Sequence, residues 1–255
     1  MNYIYYDEID STNNEIKRKL LEGDVPEFTV ISAGRQTAGR GRSGHDWESP
    51  KDVSVATSIA LYPREVSCEA VPRLTLIAAV AVAEALEKLY GLKTAIKWPN
   101  DILVSNKKIC GILTELSAKD NHVENVVVGI GVNVHNRTFP EEISHMAISV
   151  DQALEQMGKP TDNVHCKELT ETIWECFLTH YQEFLRQQDL SEILDFYNAR
   201  LINKGRVVKV LDPKGAYEAV AKEMTKTGEL LVEKDEKLIS VDSGEVSVRG
   251  IYGYV

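Results

Sequence analysis

Cysteine is scarce in this chain, and its spacing excludes two common uses. Cys68, Cys110, Cys166 and Cys176 form no C-x-x-C pair, so neither a zinc site nor a disulfide framework is expected. The six histidines form no H-x-x-x-H pair, which disfavours a structural transition metal. Long apolar runs are missing too: the longest, Leu74–Ala83, falls well short of the roughly 20 residues needed to cross a bilayer. The N-terminus carries Asp7, Glu8 and Asp10 where a signal peptide would be basic and then apolar. A cytoplasmic protein with no membrane partner is the expectation. Excess positive charge is lacking as well, and a formal charge of −10 argues against broad nucleic-acid binding. No repeat or low-complexity segment interrupts the chain.

What is present is 255 residues, 43% hydrophobic and 27% charged, as in ordinary soluble globular proteins. That length can bury one large domain and leave room for a small second one. Against the acidic background one basic stretch stands out, Gly34–Trp47. It lies between the apolar, β-rich runs Phe28–Ser32 and Val53–Leu61, so it reads as a loop joining two strands. Gly39, Gly41 and Gly44 let main-chain amides approach a ligand closely. Arg40 and Arg42 add planar guanidinium forks suited to phosphate or carboxylate oxygens. The stretch reads as an anion cradle beside a lid, with Trp47 as an aromatic hinge or anchor. Arginine–glycine loops also occur in flexible linkers and RNA-binding tails, so the loop alone leaves both readings open.

Taken in order, Asn2–Ile9 is predicted as a short aromatic strand and Thr12–Leu21 as a helix, with Thr12 and Glu15 fitting a capping box. Ser11 and Thr12 suit capping, and the same hydroxyls and helix-start amides suit a ligand socket. Ala70–Tyr90 is apolar nearly all round and reads as a core helix. In Lys93–Leu116, Pro99 makes Trp98 extended and Pro99–Asp101 makes a turn. A second turn at Ser105–Lys107 completes a meander with Lys97, Asn100, Asp101 and Lys108 near its bends. Val123–Val134 is a strand in which Gly129 and Gly131 fall on one face with Asn133, baring it for a flat ligand or for tight packing. Leu169, Ile173, Phe177, Tyr181 and Leu185 recur every fourth residue, as in a helix laid on a sheet. Another helix is expected over Ser191–Ala199. After Asn203 the chain breaks into about five short strands with regular turn signals, which suggests a small barrel.

With both loops in view the sequence resembles the biotin protein ligases over nearly its whole length. The resemblance rests on Asp10–Asn13, Gln36–Arg42, Lys97–Asp101, Lys108–Gly111, Gly129–Asn133 and Ser243–Arg249. Ordered motifs at family-like spacing are far more specific than any one alone. The resemblance implies a mixed-sheet α/β catalytic domain of the biotin/lipoate ligase type over 1–202, and an SH3-like barrel over 203–255. It implies that biotin and MgATP form biotinyl-5′-AMP, which a lysine of a biotin carboxyl carrier protein or carrier domain then attacks.

By the same resemblance Lys108, Arg42 and Arg40 are the catalytic cations. Ser11, Thr12, Asn13, Gln36, Arg40, Gly41, Arg42, Lys108, Gly129 and Gly131 are the biotin-binding residues. Trp47, Lys97, Asn100, Asp101, Asn133 and Arg249 are the ATP-binding residues. No tight direct metal ligation is expected; Mg2+ arrives on ATP, with Asp101 the candidate side chain. The chemistry is consistent with these residue types. A carboxylate meeting the α-phosphate is opposed by about 4 kcal/mol at roughly 4 Å and an effective dielectric near 20, which cations relieve. The ureido ring needs donors and acceptors, which Ser11, Thr12, Asn13 and Gln36 can supply in part. Two departures stand out: His45 sits where many members have arginine, and Asn136–Ser149 offers no tryptophan to stack on adenine. The Ser11–Thr12 motif begins close to the N-terminus, so a ligase without a DNA-binding repressor domain is expected; a homodimer is left open. Two rivals are kept, a lipoate–protein ligase of the same superfamily and a non-enzymatic nucleotide or nucleic-acid module.

Overall fold

Strand β1 (Asn2–Tyr6) runs parallel to β2 (Thr29–Ala33), and helix α1 (Thr12–Glu22) makes the crossover that a parallel pair requires. The computed structural model describes residues 1–23, 25–44, 47, 50–212, 215–243 and 247–250, with Ser43 and the last four as backbone only. His45 therefore lies outside the described residues. The cap of α1 differs from the expected one. Ser11, extended at φ −160°, accepts from the Asn14 amide, and the helix begins at Thr12 rather than after it. Thr12 is thereby released from capping. Gly23 ends the helix in the left-handed region at φ 86°, where a side chain would be strained.

Strand β3 (Ser54–Leu61) is followed by α2 (Arg73–Tyr90), β4 (Thr94–Lys97), β5 (Asp101–Val104), β6 (Lys107–Lys119) and β7 (His122–Asn133). The seven strands form one mixed sheet in the order β1-β2-β3-β7-β6-β5-β4, antiparallel except at β1–β2. Helix α3 (Val150–Gln156) is closed by a Ser149–Gln152 capping box, and α4 (Cys166–Gln187) and α5 (Leu194–Arg200) follow. No described helix is long and apolar enough to cross a membrane.

The two faces of the sheet are covered unequally. One carries the large core, in which Val30, Ile59 and Val128 pack with α2 and α4; Leu169, Ile173, Phe177 and Tyr181 of α4 are fully buried there. The other carries a small cluster, Ile16, Val25, Ile31, Ala60 and Val127, under α1. Past the end of that cluster the same face presents mostly small residues, with Leu113 beside Gly129 the large apolar exception. In register the small residues are Ala56 opposite Gly131, Ser58 opposite Gly129, and Gly111 opposite Gly131. This patch is the floor of the site.

The C-terminal strands β8 (Val207–Leu211), β9 (Tyr217–Met224), β10 (Leu230–Lys234), β11 (Lys237–Val241) and β12 (Ser247–Gly250) form an antiparallel sheet in the order β11-β10-β9-β8-β12. Pairing between the edge strands β11 and β12 is not seen among the described residues. The sheet is pinned to the rest of the chain by polar bonds. Trp98 Nε1 donates to the Gly228 carbonyl at 3.2 Å, Arg73 Nε to the Thr227 carbonyl at 2.9 Å, and the Trp98 amide to Asn203 Oδ1 at 2.9 Å. Ala221, Leu230 and Val232 belong to the same apolar cluster as α2 and α4.

Candidate functional site

At one end of the floor the start of α1 meets the loop after β2. The Thr12 amide and hydroxyl both donate to Gln36 Oε1, at 2.8 and 3.1 Å. The one hydroxyl proton of Ser58, on β3, is shared between Thr12 Oγ1, 2.6 Å away, and Asn13 Oδ1, 2.5 Å away. Asn13 Nδ2 in turn donates to Glu115 Oε2 at 2.7 Å. Ser11, Thr12, Asn13 and Ser58 are all buried, so this polar network is held away from water. Gly129 is where Asn13 comes closest to the sheet: a methyl there would lie 2.9 Å from the Asn13 amide carbon. Ser58 and Glu115 were not among the residues read from the sequence. Their signal is a polar residue inside an apolar strand, and it becomes meaningful only once the register aligns Ser58 with Gly129 and Glu115 with Val127.

Over the middle of the floor lies Trp47. A methyl at Gly131 would clash with its indole, lying 2.6 Å from Nε1, and one at Gly111 would lie 3.0 Å from Cζ3. The face bared by glycine is thus occupied by an aromatic plane from the basic loop, rather than by a neighbouring backbone. Trp47 Nε1 is buried without a hydrogen-bond partner among the described residues, a donor awaiting an acceptor. The loop is closed beneath it by the Trp47 amide, which donates to the Gly39 carbonyl at 3.0 Å.

At the far end the cations gather. Lys108 Nζ is 2.7 Å from Asp101 Oδ1 and 5.5 Å from the centre of the Trp47 ring. Asn100 Nδ2 reaches Asp101 Oδ1 at 3.2 Å, and Arg42 Nη1 reaches Asn100 Oδ1 at 3.3 Å. Arg42 Nη2 donates to the Ser243 carbonyl at 2.9 Å. Burial holds the Arg42 guanidinium below its ordinary pKa, an effect that the nearby Asp101 charge offsets only in part. The described bonds from Arg42 are to neutral oxygens, so a half-buried cation is left with capacity for an anion. The Lys108 main chain is bracketed by a strap: its amide donates to the Met146 carbonyl, and its carbonyl accepts from Ile148. Asn133 Nδ2 donates to the Ile148 carbonyl at 3.3 Å and so holds the same strap.

The residues named from the sequence are therefore not all together. Thr12, Asn13, Gln36 and Gly129 form one end, Gly131 and Trp47 the middle, and Arg42, Asn100, Asp101 and Lys108 the other end. Gly41 is half-buried beside Arg42, while Arg40 points to solvent as an exposed residue of the loop. Lys97 is buried at the end of β4, opposite Asp101 in register. Arg249 lies on β12 opposite Lys209, and its side chain is outside the described residues.

The sequence profile of the biotin/lipoate A/B protein ligase family matches residues 5–133. The bifunctional ligase/repressor BirA of Bacillus subtilis is 33% identical over 247 residues, covering 96% of this chain and 73% of that protein. The biotin–[acetyl-CoA-carboxylase] ligase of Mycobacterium tuberculosis is 28% identical over 240 residues, covering 92% and 85%. Among solved structures, the biotin protein ligase from Aquifex aeolicus in complex with biotin and ATP superposes with a TM-score of 0.83 at 30% identity, covering 98% of this chain and 99% of that one.

Proposed function

The chain belongs to the biotin/lipoate A/B protein ligase family, and we propose that its glycine floor and the cations at its end hold biotin and ATP end to end. It is an ATP-dependent biotin–protein ligase whose acceptor is a carboxylase carrier. The observation that carries the placement of the two substrates is the position of Lys108. Its ammonium stands where the floor ends, against Gly111 and beside Asp101 and Trp47.

Biotin's ureido ring fits the polar end, where Thr12, Asn13, Ser58 and Gln36 offer both donors and acceptors. Its bicycle and chain fit along the glycine floor once the Trp47 indole, which rests on Gly131 and Gly111, lifts to admit them. The carboxylate then reaches the Lys108 and Arg42 end, where it attacks the α-phosphorus of ATP. A P–O bond forms to the carboxylate, the bond to the pyrophosphate oxygen breaks, and biotinyl-5′-AMP remains. Lys108 and Arg42 offset the charge that two anions bring together, and their bonds to Asp101, Asn100 and Ser243 fix them beforehand. In the second step a neutral lysine amine of the carrier attacks the acyl carbon. The amide forms, AMP leaves, and the amine loses its proton.

Trp47, Lys97, Asn100, Asp101, Asn133 and Arg249 we assign to the nucleotide side, and Arg40, exposed on the same loop, to phosphate attraction. The donor set suits magnesium carried on phosphate oxygens, since Mg2+ commonly keeps only one or two protein carboxylates, and Asp101, already paired with Lys108, is the candidate for that. Bound there it would neutralise phosphate charge. We divide the chain into a catalytic part, 1–202, and a C-terminal part, 203–255, which contributes the Ser243 carbonyl to Arg42.

The deciding experiment is incubation with MgATP, labelled biotin and a biotin-carrier domain, followed by peptide mapping. Label on one carrier lysine is expected. Equal or better transfer of lipoate under the same conditions would overturn the reading in favour of a lipoate ligase.

A further inference from the structure

The catalytic reading leaves one carboxylate on the ligand face unused. Glu115 pairs with Val127, two residues along from the Leu113–Gly129 pair, so it lies on the face of Gly111, Gly129 and Gly131. Its Oε2 accepts from Asn13 Nδ2 at 2.7 Å, and its Oε1 meets the Lys17 ammonium. Both carboxylate oxygens are therefore engaged, one by each partner.

An asparagine amide is nearly isosteric about its flip, so its neighbours choose which end is the acceptor. An ionised carboxylate only accepts. Glu115 therefore holds the Asn13 amino group toward β6 and its carbonyl toward Ser58, which donates to it at 2.5 Å. The consequence propagates. Ser58 has a single proton, which Asn13 Oδ1 and Thr12 Oγ1 share, and Gln36 Oε1 accepts from the Thr12 main-chain amide whatever the Thr12 hydroxyl does. With Oε1 so occupied, Gln36 turns its amino group toward Gly39, where a methyl would lie 2.9 Å from Nε2. One carboxylate behind the pocket thus sets the polarity of Asn13 and, through it, of Ser58, while the Thr12 main-chain amide sets that of Gln36.

We propose that Glu115 is a positioning residue for ligand discrimination, acting through Asn13 to hold the donor and acceptor pattern that a cyclic urea reads. This rests on the reading above that Thr12, Asn13 and Gln36 face biotin. The ring presents two N–H donors and one carbonyl acceptor. The oxygens of Asn13, Ser58 and Thr12 suit the donors, and the Gln36 amino group suits the carbonyl. Reversal of Asn13 sets an amino group against a ligand N–H.

Glu115→Gln tests this, because glutamine has a single oxygen for which Asn13 and Lys17 must compete. Calorimetric titration of the full chain with biotin, and separately with ATP, is the readout. Biotin affinity is expected to fall about tenfold with ATP affinity within twofold. The pair Lys17→Met with Glu115→Gln removes the competitor and should recover most of the loss. Adding Glu115→Gln to Asn13→Ala should cause no further loss, whatever either change does to stability. An unaltered biotin affinity in Glu115→Gln, a double variant as weak as the single, or additive losses with Asn13→Ala would each overturn the positioning role. Wild-type protein that fails to bind biotin would instead overturn the reading beneath it.

Discussion

Arg42 Nη2 donates to the main-chain carbonyl of Ser243 at 2.9 Å, joining residues 201 positions apart. A side chain of the basic loop is thus tied to the turn that leads out of β11 in the C-terminal sheet. Loop and sheet together close the end of the floor at which we propose that the carboxylate of biotin is activated.

Replacing Arg42 with glycine severs that tie and the bond to Asn100. The loop should loosen and release biotinyl-5′-AMP before transfer. The expected sign is label appearing on added albumin as well as on the carrier. Label confined to the carrier, with no rise in free adenylate, would show that the loop retains the intermediate by other means.

Lys108→Ala removes the ammonium paired with Asp101. Its side chain is 27% exposed and lies outside the apolar core, so the fold should persist. Adenylate formation in a single turnover is expected to slow on the order of 100- to 1000-fold, as when one preorganised charge is lost from a transition state. A rate close to wild type would remove Lys108 from the chemistry.

Gly131→Ala probes the floor without touching a polar group. The new methyl would lie 2.6 Å from Trp47 Nε1, so the indole must move off the sheet. The Michaelis constant for biotin should rise roughly tenfold or more, following the loss of a shaped apolar contact and its cover. The constant for ATP should change less. An equal rise in both would indicate a general disturbance of the sheet.

His180 should make stability depend on pH. Its Nδ1 lies 2.7 Å from Glu192 Oε2 and its Nε2 lies 2.8 Å from Glu84 Oε2, joining α4 to α2 and to the segment before α5. Burial alone would lower its pKa, but the bonds to the two carboxylates outweigh it and the value is raised. The contribution is therefore complete below the unfolded value of about 6.5 and is lost as pH rises through the higher folded value. Melting temperature followed upward from pH 6 should fall, and His180→Gln should flatten the curve. A wild-type curve that rises across that window would contradict the assignment.

Much of this was legible along the chain. The fourfold spacing in α4, the apolar α2, the meander around Trp98–Asp101 and the paired glycines of β7 follow from periods of 3.6 and 2 and from turn chemistry, all local properties. The motifs likewise led us to propose a single reaction for Thr12, Gln36, Arg42 and Lys108. Tertiary structure alone decided how they divide among the parts of the floor. Ser58 and Glu115 act because strand register sets them beside Gly129 and Val127, and register is a relation between distant segments. Trp47 covers Gly131 because a loop folds back over β7, and no local periodicity encodes that return. The cap passed from the expected Thr12–Glu15 box to Ser11 for the same reason. Gln36, 24 residues away, takes both donors of Thr12, so a long-range bond settled what local propensity had left even.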